Sequence, residues 1–354
     1  MSENMSLAPS ELAQALEICL LAKQPMLIMG MPGQGKSSIV EQVCEKIGAD
    51  LIVAHPVVDN PTDYKGFPVL VDVDDKKSKK YMQYMSHAKK VPEFLPFGGL
   101  RQLITADKLT VHFADDVGQA QTSVQCAYGQ LLLNRAVNEH KVSDNVVFVA
   151  ATNRKQDKAG VKGIISMLLD RFTSVVELQT SLEDWVRWAI ENNLRHEVVS
   201  WVRYRPEVLS EFKPTPDFSR TPTPRGIHAI SKMMDAGVPD YLQIRMFSGA
   251  IGKARATEFV GFLRIYQNLP DPDKVIMDPD NGEIPDEPSH LYALCGAISQ
   301  RATKNNLERI VKYADRLPDE FSVLLIKDCI SNDAALTKSA AFNRWVINHQ
   351  DVLL

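Results

Sequence analysis

Eight consecutive residues constrain the fold of this chain more than any other feature. Gly30-Met31-Pro32-Gly33-Gln34-Gly35-Lys36-Ser37 follows the pattern GxxxxGK[ST]. The apolar run Met26-Leu27-Ile28-Met29 precedes it and is short enough for a buried strand. Ile39, Val40, Val43, Cys44 and Ile47 follow it, all on one face of a predicted helix that ends at Gly48. Strand, glycine loop and helix in that order make the phosphate-holding form of a βα unit. Glycines let backbone N–H groups converge on phosphate oxygens, the helix N-terminus adds its positive dipole, and a lysine reaches the outer phosphates. The candidate ligand-binding residues are therefore Gly30, Met31, Pro32, Gly33, Gln34, Gly35, Lys36, Ser37 and Ser38, with the Ser37 hydroxyl as a magnesium ligand.

The same alternation continues. Short apolar runs recur at 51–54, 109–113, 146–150 and 174–178, and Val117, Ala120, Val124, Ala127 and Leu131 repeat a three-four spacing between two of them. Alternating strands and helices predict an α/β fold with a mostly parallel sheet covered on both faces. Two insertions interrupt it. Residues 69–73 and 81–85, flanking the polar stretch 74–80, read as a hairpin, and 136–142 read as a second, shorter one. Beyond residue 182 strand signals fade, and 182–192, 197–212, 226–235, 241–268, 291–317 and 321–330 read as helices between proline-rich breaks at 213–224 and 269–288.

With 354 residues there is room for two or three domains. Forty basic against 44 acidic residues give a net charge of -4, so no global field favours nucleic acid or an anionic membrane. The five cysteines, Cys19, Cys44, Cys126, Cys295 and Cys329, are scattered and form no CxxC pair, which fits a reducing cytoplasm. Residues 1–10 lack the basic and apolar segments of a signal peptide, and no apolar window is long enough to span a bilayer, so neither export by that route nor membrane insertion is expected.

A nucleotide loop needs further groups before it can do chemistry. Val111-His112-Phe113-Ala114-Asp115-Asp116 ends a predicted strand in two carboxylates, Asp115 for a magnesium ion and Asp116 to orient or deprotonate a water. Asn153 closes the next strand, where its amide can hold the same water. Arg171, in Leu169-Asp170-Arg171-Phe172, either caps a helix or neutralises charge on a neighbouring subunit's nucleotide. Arg225, in Thr223-Pro224-Arg225, opens a helix from which it can fold back on the phosphates.

Taken as an ordered set, the phosphate loop, Phe113-Ala114-Asp115-Asp116-Val117-Gly118-Gln119-Ala120, Ala151-Thr152-Asn153-Arg154, Leu169-Asp170-Arg171-Phe172 and Thr223-Pro224-Arg225 resemble a MoxR-like AAA+ ATPase of the dynein-related branch, over about residues 10–235. The resemblance implies ATP and Mg2+ as cofactors and a five-stranded parallel core over 1–178. It also implies a helix-2 insert hairpin at about 66–96, a helical lid at 179–270 and a helical extension at 271–354. Lys36 and Ser37 become Walker A, Asp115 and Asp116 Walker B, Asn153 sensor 1, Arg171 the arginine finger and Arg225 sensor 2. A homo-oligomeric ring, usually a hexamer, is implied, acting on a protein partner that carries a von Willebrand factor A domain. One departure stands out: Asp116 occupies a position where the family usually has Glu, which sets its oxygens back by about 1.5 Å.

Other signals are weaker. His196-Glu197 lacks the second histidine of HExxH, Asn153-Arg154-Lys155-Gln156-Asp157 has its lysine one place off a guanine-reading NKxD, and the glycine of 278–283 falls one position early for a calcium loop. Trp185, Trp188 and Trp201 read as packing residues. Lys76, Lys77, Lys79 and Lys80 with Tyr81 and Tyr84 read as a solvated hairpin tip, though they keep open a nucleic-acid motor or loader as the rival function. A small-molecule kinase or GTPase leaves Arg171 and Arg225 unexplained, and a slow, nucleotide-gated scaffold remains compatible with Asp116.

Overall fold

The computed structural model describes residues 6–72, 90–138, 140–157, 163–214 and 219–349. The chain divides into two compact units, Met1–Gln179 and Thr180–Leu354.

The first unit holds all ten strands found among the described residues: β1 (Ser6–Leu7), β2 (Met26–Gly30), β3 (Asp50–Ala54), β4 (Phe67–Asp72), β5 (Lys90–Leu95), β6 (Thr110–Ala114), β7 (Ala136–Val137), β8 (His140–Lys141), β9 (Val146–Asn153) and β10 (Ser174–Leu178). Six of them make one sheet in the order β1-β10-β2-β9-β6-β3, every pairing parallel. The predicted five strands form it with β1 added on the edge beside β10. Residues of β6 and β9 are buried along their whole length, as a parallel sheet covered on both faces requires.

The period of two along each strand sorts side chains into two cores. Met26, Ile28, Val111, Phe113, Val147 and Val149 face one side, where Leu12, Leu16 and Leu20 of helix Pro9–Leu21 and Val40 and Val43 of helix Lys36–Ile47 cover them. Leu27, Ala114, Phe148 and Ala150 face the other, beneath Val124, Tyr128 and Leu131 of helix Thr122–Asn134. The apolar spacing read as one helix from Val117 is broken: a short 3-10 turn, Val117–Gln119, precedes that helix.

Both insertions are hairpins. β4 pairs antiparallel with β5, Phe67 opposite Leu95 and Asp72 opposite Lys90, so the partner strand lies later than the expected 81–85, which falls outside the described residues with the lysine cluster. β7 pairs with β8.

The second unit is helical, with helices Leu182–Glu191, His196–Tyr204, Pro224–Asp235, Asp240–Ile251, Lys253–Gln267, Pro272–Met277, Pro288–Ser299, Leu307–Ala314, Asp319–Asn332 and Ala340–Asn348. Three segments expected as single helices are each split: 197–212 ends its helix at Tyr204 and, past Arg205, continues only as the 3-10 turn Pro206–Leu209, and two longer stretches divide as well. The stretch 241–268 breaks at Gly252, whose φ of 83° and whose close approach to the Arg220 carbonyl exclude any side chain. The stretch 291–317 breaks after Ser299, where Asn306 Oδ1 accepts the Thr303 N–H at 2.7 Å ahead of the next helix. One core gathers Trp185, Trp201, Phe247 and Phe259, and another Leu294, Ile310, Phe321 and Trp345. Helix Pro288–Ser299 feeds both, with Ala293 in the first and Leu294 in the second. Trp185 and Trp201 are core residues, and Trp188 packs against the same core partly buried.

Candidate nucleotide site

The site forms at the carboxyl ends of the central strands, where β2, β6 and β9 all stop. Parallel strands present their carboxyl ends together, and ligands of open α/β sheets bind there. β2 ends at Gly30, the loop turns through Gly33 (φ 72°) and Gly35 (φ 100°), and helix Lys36–Ile47 begins at once. Both left-handed glycines are positions where a side chain is strained, and the helix N-terminus turns its first N–H groups toward the loop.

Lys36 is nearly buried and its ammonium group donates to Gly30 O at 3.1 Å, Met31 O at 3.0 Å and Asn153 Oδ1 at 2.8 Å. Register accounts for the last of these, because Asn153 lies directly opposite Gly30 across β2 and β9. The Asn153 Nδ2 group donates to Asp116 Oδ1 at 3.1 Å. Its amide orientation is thereby dictated: oxygen toward a cation, nitrogen toward a carboxylate.

Asp115 continues β6. Its N–H donates to Ala54 O of β3 at 3.0 Å, its Oδ1 accepts the Asp116 N–H at 3.0 Å, and its Oδ2 accepts the Ser37 hydroxyl at 2.8 Å. Asp116 has φ of 55°, a left-handed conformation that Asp tolerates better than most residues. The turn makes the two adjacent carboxylates diverge, Asp115 toward Ser37 and Asp116 toward Asn153.

Ser37 and Asp115 offer two hard oxygen donors side by side. This set suits magnesium, which keeps waters and phosphate oxygens as its remaining ligands. Among the described residues no group of three or more His, Cys, Asp or Glu is placed to hold a metal by protein ligands alone.

The structure thus brings together Gly30, Met31, Lys36, Ser37, Asp115, Asp116 and Asn153. Arg171 lies apart from these contacts. It follows the short helix Ser166–Leu169, and its Nη1 is buried without a hydrogen-bond partner against Gly129 of helix Thr122–Asn134. Arg225 belongs to the second unit, in the first turn of helix Pro224–Asp235, where Thr223 Oγ1 accepts the Gly226 N–H at 3.1 Å and caps it.

Two side chains near the site carry contacts that motif reading does not reach. Arg154 forks onto buried Asp157 (Nε to Oδ2 2.9 Å, Nη2 to Oδ1 2.8 Å) and reaches Glu177 Oε1 on β10 at 3.2 Å, fixing the chain just past Asn153. Gln34, a variable position in the motif, joins Met31 to Leu178. For Gln34 the linear sequence holds no signal, since its second partner lies 144 residues away.

Residues 26–180 match the family described as "ATPase family associated with various cellular activities (AAA)". None of the curated protein sequences matches the chain. Solved structures with a loose likeness include the Thermotoga maritima RuvB Holliday junction branch migration motor, 16% identical over 82% of this chain and 80% of that one with a TM-score of 0.39. The replication initiator DnaA bound to AMPPCP and single-stranded DNA is 11% identical over 96% of this chain and 87% of that one, TM-score 0.37. The phosphate loop, paired carboxylates and strand-end amide all fall within the matched segment: residues 26–180 are an AAA domain, and the protein built around it is an ATP-hydrolysing enzyme.

Proposed function

We propose that this protein is a MoxR-like AAA+ ATPase that assembles into a homo-oligomeric ring, a hexamer, and uses ATP and Mg2+ to remodel or activate a protein partner in the cytoplasm. The partner class proposed is a protein with a von Willebrand factor A domain. The observation that supports the nucleotide chemistry is the continuous set of hydrogen bonds Ser37–Asp115 and Lys36–Asn153–Asp116 at the end of three parallel strands.

In this reading residues 30–38 cradle the phosphates, and Lys36 gives up loop carbonyls to bind the outer phosphate oxygens. Ser37 and Asp115 hold magnesium, which when bound offsets charge on the β- and γ-phosphates. Asp116 takes the proton of the attacking water, and Asn153 fixes both that carboxylate and the water. Arg171 serves the site of a neighbouring subunit, in keeping with its absence from the contacts of its own chain's site, and Arg225 reads the phosphates from a lid spanning 179–270. Residues 271–354 form an extension with no catalytic set, and the hairpins at 66–96 and 136–142 face the partner. No helix among the described residues is long and apolar enough to cross a membrane.

The test is the ATPase rate per subunit as a function of protein concentration. A ring enzyme gives a rate that climbs with assembly, is abolished by Lys36→Ala, and is lost in Arg171→Ala although each subunit still binds ATP. A concentration-independent rate with Arg171→Ala fully active would overturn the ring. Capture from native lysate with Asp116→Asn should return a protein; salt-sensitive retention of DNA that stimulates hydrolysis would replace the remodelling role with a nucleic-acid one.

A further inference from the structure

Gln34 stands at a position that the phosphate-loop pattern leaves open, yet its side chain makes two defined bonds. Its Oε1 accepts the N–H of Met31 at 3.0 Å, closing the loop on itself, and its Nε2 donates to the carbonyl of Leu178 at 2.9 Å. Leu178 is the last residue of β10, and the division between the two compact units falls just beyond it, between Gln179 and Thr180. Met31 and Leu178 are both almost fully buried. The carboxamide thus satisfies an N–H inside the loop and a carbonyl at the end of β10, both on buried residues, and its loss removes two hydrogen bonds at once.

Gly30 shows how closely this carboxamide is fitted. Gly30 has no left-handed φ, so its backbone alone does not demand glycine. A Cβ there would stand 2.6 Å from Gln34 Oε1, 3.3 Å from Lys36 Cδ and 3.4 Å from Leu178 Cβ. The first glycine of the loop is thus the floor on which the Gln34 side chain crosses from one main chain to the other.

We infer that Gln34 is a positioning residue that couples occupation of the phosphate loop to the segment Leu178–Thr180, through which the chain enters its second unit. The inference rests on the reading of residues 30–38 as the phosphate site. The loop backbone that must settle around phosphates is the backbone Gln34 ties down. Met31 and the Leu178 carbonyl are joined through the one Gln34 carboxamide, so a rearrangement of Met31 or Gln34 is felt at the end of β10.

The experiment uses the full chain with ATP, comparing the parent with Gln34→Met, close in volume but unable to make either bond, and with Gln34→Asn, too short to make both. The readouts are steady-state kinetics and hydrogen–deuterium exchange over 176–182 with and without ATP. Coupling predicts ATP-dependent slowing of exchange in that segment for the parent and its loss in Gln34→Met. KM should rise about tenfold in Gln34→Met, the effect of one or two lost hydrogen bonds, while kcat changes less than about twofold. A side chain that merely supports folding would lower the active fraction and kcat and leave KM alone. The inference is overturned if the parent shows no ATP-dependent change over 176–182, or if Gln34→Met shows the same change and the same KM as the parent. Lys36→Ala, run alongside, separates the two levels: if it binds ATP like the parent, the phosphate-loop reading itself fails.

Discussion

The guanidinium of Arg171 lies across Gly129, its Nη1 2.8 Å from the point where a Cβ on that glycine would sit. Glycine inside a helix costs up to about 1 kcal/mol relative to alanine, so its place in helix Thr122–Asn134 has a reason, and the reason is the arginine crossing it. Gly129→Ala should leave stability within about 1 kcal/mol of the parent, because helix propensity gained offsets the displaced guanidinium. Turnover should fall several-fold with ATP affinity unchanged, since the displaced group is the proposed finger and not part of the loop. Calorimetric ATP titration beside a turnover assay checks this, and unchanged turnover would detach Arg171 from catalysis.

Asn153 holds opposite charges at its two ends, Lys36 on the oxygen and Asp116 on the nitrogen. Asn153→Asp places a second carboxylate against Asp116 and keeps the oxygen facing Lys36. Like charges at that separation destabilise each other, and the shared lysine is drawn toward the pair. The expected outcome is a fall in kcat of about 10² or more with ATP still bound, and Asp116→Asn should do the same by removing the base. Single-turnover measurements of hydrolysis against nucleotide binding separate these effects. A kcat within a few-fold of the parent in both variants would remove Asp116 and Asn153 from the chemistry.

The sheet and the loop were legible because they depend on local rules. Apolar runs of four or five residues between amphipathic helices make buried parallel strands, and a glycine pattern between one such pair makes a phosphate loop. Contacts made at long range were not legible. Nothing in Met31-Pro32-Gly33-Gln34 announces a bond to Leu178, and nothing near Gly129 announces Arg171, because sheet register and helix packing create those neighbours. The helical second half was read correctly as helical but with too few breaks. Its interruptions at Gly252 and after Ser299 come from backbone approach and from a turn held by the Asn306 side chain, and the expected break at 269–288 holds the short helix Pro272–Met277; hydrophobic periodicity records none of these.

His112 on β6 is buried, stacked on Tyr128 with centroids 5.7 Å apart, and its Nδ1 has no partner. Burial pushes its pKa down to about 4. In the unfolded chain an imidazole titrates near 6.5, so between those values the unfolded state binds the extra proton. Stability from this group is therefore complete above about pH 6.5 and is lost as pH falls toward 4. Going from pH 7.5 to pH 5.0 should cost the first unit about 2 kcal/mol, a loss that His112→Leu should remove. Hydrogen exchange of β6 and β9 amides at the two pH values measures it, and an equal loss in both proteins would assign the effect elsewhere.

Arg203 and Asp328 form a bidentate ion pair between helices His196–Tyr204 and Asp319–Asn332, with only 12% and 6% of their side chains exposed. Burial raises the pKa of the Asp328 carboxyl above its ordinary value even though Arg203 pulls the other way, so desolvation outweighs the attraction. A pair of this kind is costly to break and inexpensive to replace. Asp328→Ala should destabilise the second unit by about 3–5 kcal/mol, because it leaves a buried guanidinium without its partner. Arg203→Met combined with Asp328→Leu should restore stability to within about 1 kcal/mol of the parent or exceed it. All four tryptophans, Trp185, Trp188, Trp201 and Trp345, lie in this unit, so tryptophan fluorescence during urea unfolding reports on it alone. A double variant as unstable as Asp328→Ala would mean that the pair supports the helices through its charges and not merely through the penalty of separating them.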